Sequence, residues 1–436
     1  MLPGPVKLLE VPRKRLSAQL HLRATHRRVI RSNLVSEGTA PFWLDAPYEP
    51  RAALNGDVEV EACVIGGGVG GLSCARRLAQ RGIETVLLEA GTVAGGASGR
   101  NGGFLIAGTA AFHNDARERF GGEAARAMYA RTLEAQTEIF ELAEELGAGD
   151  SLRQVGLLRL AVSEEEAEHV RDHARALQED GFPGEVVERD ELPPALRRTG
   201  LVGCLTAHDG ALHPARWYRL LAGAAEAAGA RICEGSAVRG PVPAPGEGPV
   251  VTGAGNVHAR HVVVAADGAL PALVPEYAGR VRARRLHMVA TEPLPPALDP
   301  MVYARWGFEY LQQRPDGRIL AGGFSDVDGD DSYTDSDAGN PLIWERVESY
   351  LREDLGTNAA VSHRWAGVVG YSDDSLPYVG EVPGRPRLYV SGGYSGVGNV
   401  PGFMCGRDLA DTIAGDGPEP LFPAGRDPWT SSESAS

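Results

Sequence analysis

The chain has 436 residues, 43% of them hydrophobic, and a formal net charge of −15; it is long enough for large cores, most readily two interleaved domains, and too acidic to favour nucleic acid. No apolar run reaches the roughly 18 residues of a membrane span, and the N-terminus lacks the apolar centre of a secretory signal, so a cytoplasmic protein is expected. The charge is uneven: residues 1–40 carry eight cations against two acids, which leaves −21 on the remainder. That stretch is expected to be a flexible basic leader, and the acidic body could concentrate a cationic substrate. Cys63, Cys74, Cys204, Cys233 and Cys405 form no CxxC pair, which fits buried thiols in a reducing compartment better than a disulfide frame or a zinc site.

The first predicted unit is an apolar strand through Ala62-Cys63-Val64-Ile65, a turn Gly66-Gly67-Gly68-Val69-Gly70-Gly71, a helix Leu72–Gln80 and a second strand ending at Leu88-Glu89-Ala90. This is the dinucleotide-binding βαβ order. Gly66 permits the tight turn, Gly68 lets backbone approach a pyrophosphate, and Gly71 lets helix and strand pack closely. The helix N-terminus offers free N–H groups to phosphate, and Glu89 is placed to accept from adenosine ribose hydroxyls.

A second loop of small residues follows, Gly95-Gly96-Ala97-Ser98-Gly99-Arg100-Asn101-Gly102-Gly103-Phe104, suited to a flat ring system beyond the pyrophosphate. With this ASGRNGG run the chain resembles the FAD-dependent D-amino-acid oxidase superfamily, in particular its amine-oxidising branch that includes gamma-glutamylputrescine oxidoreductase. The resemblance covers about Pro41 to Gly415. It implies non-covalent FAD and an α/β fold: an FAD-binding Rossmann-like domain of glutathione-reductase type, interleaved with an α+β substrate domain built on an antiparallel sheet. The expected segments are 41–110, 205–283 and 362–424 for FAD, 111–204 and 284–361 for substrate, and a flexible tail over 425–436.

Helices are expected over Phe112–Gly147, a strand over Val155–Val162, and a helix over Ser163–Asp180, where Ser163 and Glu166 stand at capping-box spacing. His169 and His173 lie four apart on that helix, among charged neighbours, and read as a solvated face rather than a metal pair. The strand from Arg231 continues to Val238, whose backbone holds the adenine by resemblance. Gly240–Gly255 reads as a surface hairpin or loop. A strand His261–Ala266 closes the nucleotide sheet, with Ala265, Ala266 and Gly268 near the cofactor by resemblance.

In the substrate half, a hairpin is expected from Tyr303–Arg314 and Arg318–Phe324 around Pro315-Asp316-Gly317. Alternation puts Trp306, Phe308, Tyr310 and Gln312 on one face, an aromatic wall, and Arg305, Gly307, Glu309 and Leu311 on the other. Asp326–Asp337 departs from a calcium loop at its sixth and last positions and reads as a solvated acidic loop; no metal is expected. A helix Pro341–Leu355 follows. In the stretch from Trp365-Ala366-Gly367, Val369 stands where related amino-acid oxidases carry a carboxylate-binding arginine and sarcosine oxidases a flavin-bonding cysteine. Valine there supports an unbonded flavin and the amine-oxidising branch.

The last motif, Gly392-Gly393-Tyr394-Ser395-Gly396-Val397-Gly398-Asn399-Val400, lies between a strand and a helix to Ile413 and aims backbone N–H groups at the flavin edge where charge collects on reduction. Relatives commonly carry GHG where Val397 stands. Lysine occurs only at Lys7 and Lys14, which excludes Schiff-base chemistry and lysine-assisted oxygen reaction in the body of the protein. The expected reaction is hydride transfer from the C–H beside a small-molecule amine to flavin N5, the imine then hydrolysing, with electrons passing to O2 or to a quinone or carrier. Arg100, Arg305, Tyr310, Gln312 and Tyr371 are expected at the reacting centre. A dehydrogenase of amino acids and a flavin-binding subunit without turnover remain the alternatives, and the sequence leaves the oligomeric state open.

Overall fold

The computed structural model describes residues 40–427, so nearly all of the expected leader and residues 428–436 of the expected tail lie outside the described residues. In chain order the strands are β1 (Val58–Ile65), β2 (Thr85–Leu88), β3 (Phe104–Leu105), β4 (Leu152–Gln154), β5 (Leu157–Ala161), β6 (Glu185–Glu188), β7 (Val202–Thr206), β8 (Gly210–Leu212) and β9 (Arg231–Cys233). There follow β10 (Val250–Val251), β11 (Asn256–Val264), β12 (Val281–Thr291), β13 (Met301–Ala304), β14 (Glu309–Gln313), β15 (Ile319–Gly323), β16 (Val361–Ser372), β17 (Tyr378–Glu381) and β18 (Leu388–Gly392).

One sheet runs β17-β18-β11-β1-β2-β9, with β10 attached to β11. β1 pairs in parallel with both β11 and β2, and its Ala62–Ile65 half is buried, because a central parallel strand is covered on both faces and must be apolar throughout. On one face the helices Val69–Gln80 and Asn399–Ala414 pack nearly backbone to backbone: a Cβ on Gly406 would lie 2.2 Å from Gly70 O, and one on Gly402 2.7 Å from Val69 Cγ1. That contact brings the first and last glycine motifs together, although more than three hundred residues separate Gly70 from Gly402.

The second sheet runs β16-β12-β15-β14-β13-β5-β7-β6, and a small third sheet runs β3-β8-β4. β16, grouped by the sequence with the FAD segments from residue 362, pairs along its length with β12 and belongs to the second sheet. The strand expected over Val155–Val162 is divided at Gly156, where φ is +76°; the chain before it joins β8 and the chain after it joins β7. The expected hairpin is likewise three strands. Arg305, Trp306 and Gly307 all have positive φ, so the ladder stops after Ala304 and resumes at Glu309. Left-handed conformation costs roughly 1–2 kcal/mol per non-glycine residue, offset here by Trp306 N donating to the buried Glu166 (2.7 Å) and by Arg305 donating to Glu309 (2.6 Å).

The Ser163 cap holds: its hydroxyl accepts from Glu166 N. His173, however, is buried and accepts from His113 N (2.8 Å), while His169 pairs with Asp115 (3.0 Å). The helix face expected to be solvated is thus packed against Phe112–Phe120, and burial holds His173 well below the usual histidine range. No metal-like cluster of His, Cys, Asp or Glu occurs among the described residues. The acidic loop is also not simply solvated: Asp326, Asp328 and Asp337 accept from Arg305, Arg285 and Arg100. Arg426, placed by sequence in the tail, donates to Asp374 (3.0 Å) and Leu376 O (2.7 Å).

Candidate active site

A cavity of about 690 Å³ runs between the two large sheets, within the roughly 300–1,000 Å³ range of ligand pockets. Of the residues expected to bind cofactor, Gly66, Gly68, Val69, Gly70, Glu89, Ala90, Ser98, Arg100, Asn101, Gly102, Val238, Ala266, Gly396, Val397, Gly398 and Asn399 line it. Gly71, Gly99, Gly103, Gly393 and Val400 do not. The four glycines among these act from behind. A Cβ would lie 1.9 Å from Gly66 O at Gly71, 1.9 Å from Ala94 O at Gly99, 2.4 Å from Leu212 O at Gly103 and 3.1 Å from Val281 Cγ2 at Gly393. Their role is to let one turn rest on another.

Each turn is tied to its neighbours. Gly66 has φ +113°, and a Cβ there would lie 2.4 Å from Ala265 O. Glu89 accepts from Gly67 N (2.7 Å) and Gly91 N (2.8 Å), and burial raises its pKa. Ser98 Oγ accepts from Val69 N (2.9 Å). Asn101 and Asn399 exchange amide hydrogen bonds at 3.2 Å, and Asn399 also donates to Phe104 O (2.8 Å) and accepts from Tyr218 (2.6 Å). The second and third glycine loops are therefore joined through two asparagines. Tyr394 shares a 2.6 Å hydrogen bond with Ser391 and wedges beside Gly70, while Ser395 Oγ accepts from Ser372 N (3.1 Å).

Asp267, which sequence reasoning missed, is the central tie. Its carboxylate accepts from Gly370 N (2.7 Å), Gly393 N (2.9 Å) and Tyr394 N (3.4 Å), and burial raises its pKa. It holds β16 to the last glycine turn. An acid after the small residues Ala265 and Ala266 was the available signal.

The substrate end is a cross-strand row. Trp365 pairs with Met288, Met288 with Gly322, Gly322 with Tyr310, Tyr310 with Tyr303 and Tyr303 with Arg159; paired positions share one face of a sheet. Met288, Tyr310, Tyr303 and Arg159 line the cavity, and Phe104 stacks 4.9 Å from Tyr303. Gly322 leaves the slot in which Tyr310 and Met288 lie, because a Cβ there would be 2.4 Å from Met288 Sδ and 2.6 Å from Tyr310 Cε2. An aromatic wall exists as expected: Trp306, Phe308 and Tyr310 line the cavity, Tyr303 joins them, and Gln312 does not line it.

The five side chains expected at the reacting centre divide. Tyr310 and Tyr371 line the cavity, and burial raises the pKa of both phenols. Arg100 lines it too, but its guanidinium is held by Gly95 O (2.8 Å), Asp337 (2.8 Å) and Ala366 O (3.2 Å). Arg305 does not: its fork is taken by Glu309 and Asp326, so it fixes a turn. Gln312 also stands behind the wall, donating to Gly102 O (2.6 Å) and Gly103 O (3.1 Å). It positions the second glycine loop.

Arg284, missed from sequence, does face the cavity. β12 pairs Arg284 directly with Val369, so a guanidinium occupies the neighbouring strand beside the valine. It donates to Ser332 Oγ (3.1 Å) and Ser325 O (3.1 Å) and lies over the rings of Tyr371 (4.9 Å) and Tyr333 (5.3 Å).

A turn-helix cradle whose contacting glycines leave no room for a Cβ, leading into an aromatic and cationic chamber, defines a dinucleotide-dependent oxidoreductase. The chain belongs to the FAD dependent oxidoreductase family DAO, whose model matches residues 61–412. It is 28% identical over 410 residues to gamma-glutamylputrescine oxidoreductase of Escherichia coli (strain K12), covering 87% of this chain and 91% of that protein. It is also 28% identical to glycine oxidase of Geobacillus kaustophilus (strain HTA426), covering 81% and 92%. Among solved structures, L-proline dehydrogenase from P. horikoshii shares the fold with a TM-score of 0.71 at 23% identity, covering 86% of this chain and 98% of that one. No helix among the described residues is long and apolar enough to cross a membrane.

Proposed function

We propose that this protein oxidises the C–N bond of an amine or amino-acid derivative to an imine, which water then hydrolyses. The observation that carries the proposal is the continuity of one cavity from the glycine cradle to the wall of Met288, Tyr303 and Tyr310. FAD, when bound, supplies the oxidising chemistry by accepting a hydride from the carbon beside nitrogen.

Gly66–Gly70, Glu89, Ser98–Gly102 and Gly396–Asn399 are the residues that would hold the cofactor, unbonded, since Val369 offers no nucleophile. The N-terminus of the helix Asn399–Ala414 brings backbone N–H groups and the positive end of its dipole to the cavity, where they stabilise negative charge. Met288, Tyr303, Tyr310 and Phe104 exclude water. A substrate amine that enters this apolar chamber loses its proton more readily, because desolvation disfavours the cation; loss of hydride from the adjacent carbon needs that free nitrogen lone pair to form the C=N bond. Arg284 gives a carboxylate on the substrate a partner beside Val369 and thereby orients the C–H bond.

The test is anaerobic mixing of the yellow holoprotein with a panel of N-alkyl amino acids and amines. Bleaching supports the reading, and peroxide on admission of air separates an oxidase from a dehydrogenase that uses a quinone or carrier. Material that is colourless and takes up no added FAD, or a flavin that none of the panel bleaches, would sink it.

A further inference from the structure

Arg159, on β5, is only 5% exposed and faces the cavity. Among the described residues no carboxylate reaches it within ion-pair distance; its guanidinium lies 4.9 Å from the Phe112 ring and 5.7 Å from that of Tyr303. The acid that shares its rear wall, Asp209, is already taken up by neutral donors: Ala107 N (3.0 Å), Gln136 Nε2 (2.9 Å) and the Thr206 hydroxyl. A guanidinium cannot shed its charge, and a buried charge without a partner is costly. In a protein of net charge −15, where many arginines pair with acids, a buried arginine that faces the cavity without one is suited to receive an anion.

Its position says which anion. Arg159 and Arg284 lie on β5 and β12, four strand spacings apart through β13, β14 and β15, or roughly 19 Å across the sheet; Arg284 also lies four residues along β12 from Met288, the β12 member of the Arg159 row, about 13 Å farther along the strand. Tyr303 and Tyr310 stand in the row that runs from Arg159 to Met288 on β12. Taking the C–N oxidation proposed above as given, we infer that Arg159 is a second anion subsite, and that the substrate is an amine bearing two acidic groups, such as an N-substituted acidic amino acid. One carboxylate meets Arg284; the other crosses the tyrosine row to Arg159.

The binding test uses glutarate, which has both carboxylates and no amine to oxidise, titrated into holoprotein and read by the shift of the flavin absorption. Arg159→Met is expected to weaken glutarate by roughly 30-fold and butyrate, with one carboxylate, by less than about threefold, the loss of one charged hydrogen-bonded contact. Arg159→Lys should recover part of the glutarate affinity, which a purely packing role would not give, and retained yellow colour in either variant shows that it has folded. With substrates, the preference in kcat/KM for N-methylglutamate over N-methylnorvaline should fall by a similar factor. Unchanged glutarate affinity in Arg159→Met, or equal losses for glutarate and butyrate, overturns the inference. If glutarate binding depends on Arg159 while no amine bleaches the flavin, the subsite stands and the oxidation reading falls.

Discussion

The two ends of the cavity are built from opposite materials. The cofactor end is backbone: glycines stripped of side chains rest turn on turn, as where Gly66 meets Ala265 O and Gly71 meets Gly66 O. The substrate end is side chain: Met288, Tyr310, Tyr303 and Arg159 project from one row of a sheet. The cradle thus tolerates no added atom where its turns touch, whereas the wall can exchange side chains without moving strands. Specificity can drift on one side while the cofactor stays fixed on the other.

The largest expected effect tests the cradle. Gly66→Ala combines an unfavourable φ of +113° with a 2.4 Å clash on Ala265 O, together about 3 kcal/mol or more. FAD affinity should fall at least ~100-fold, seen as purification of colourless protein; a yellow variant with wild-type affinity would break the contrast. Next comes the wall's own tight point. Gly322→Ala should keep FAD but push Tyr310 and Met288 into the chamber, with stability lowered by about 1–3 kcal/mol in urea melts and flavin reduction slowed about tenfold.

Arg305→Met sharpens the division between wall and support. Leaving buried Glu309 without its partner should cost about 2 kcal/mol, while the kinetics of flavin reduction shift by less than about twofold; a large kinetic loss would return Arg305 to the active centre. At neutral pH the last effect is silent, and it emerges only on acidification. His287 is fully buried and accepts from Asn340 N (2.7 Å), so it is held neutral, with burial as the main cause of a pKa near 4. The unfolded chain takes up its proton first, near pH 6.5. Stability from this group is therefore complete above that pH and lost by up to ~1.4 kcal/mol per unit as pH falls toward 4. His287→Gln should flatten the dependence of urea midpoints on pH by that slope, and an unaltered slope would refute the assignment.

The sequence by itself determined the cofactor end. A period-breaking run of glycines between an apolar strand and a helix has few physical uses, and most of the residues named from those loops line the cavity. Local spacing also identified Ser163 as a cap and Tyr310 and Tyr371 as cavity residues. It failed where neighbours come from afar. Gln312 shares the alternation that places Tyr310 on the wall, but its amide is taken by Gly102 O and Gly103 O; Arg305 lies in the left-handed turn Arg305–Gly307, held by Glu166 from a distant helix, where its fork meets Glu309 and Asp326. Arg159 and Arg284 look like any other arginines in the chain, and only the order of strands in the second sheet puts both in one chamber. The tight turns announce themselves because a missing Cβ is written in the residue itself; cross-strand neighbours, and whether an arginine finds an acid, are decided by which strands pair.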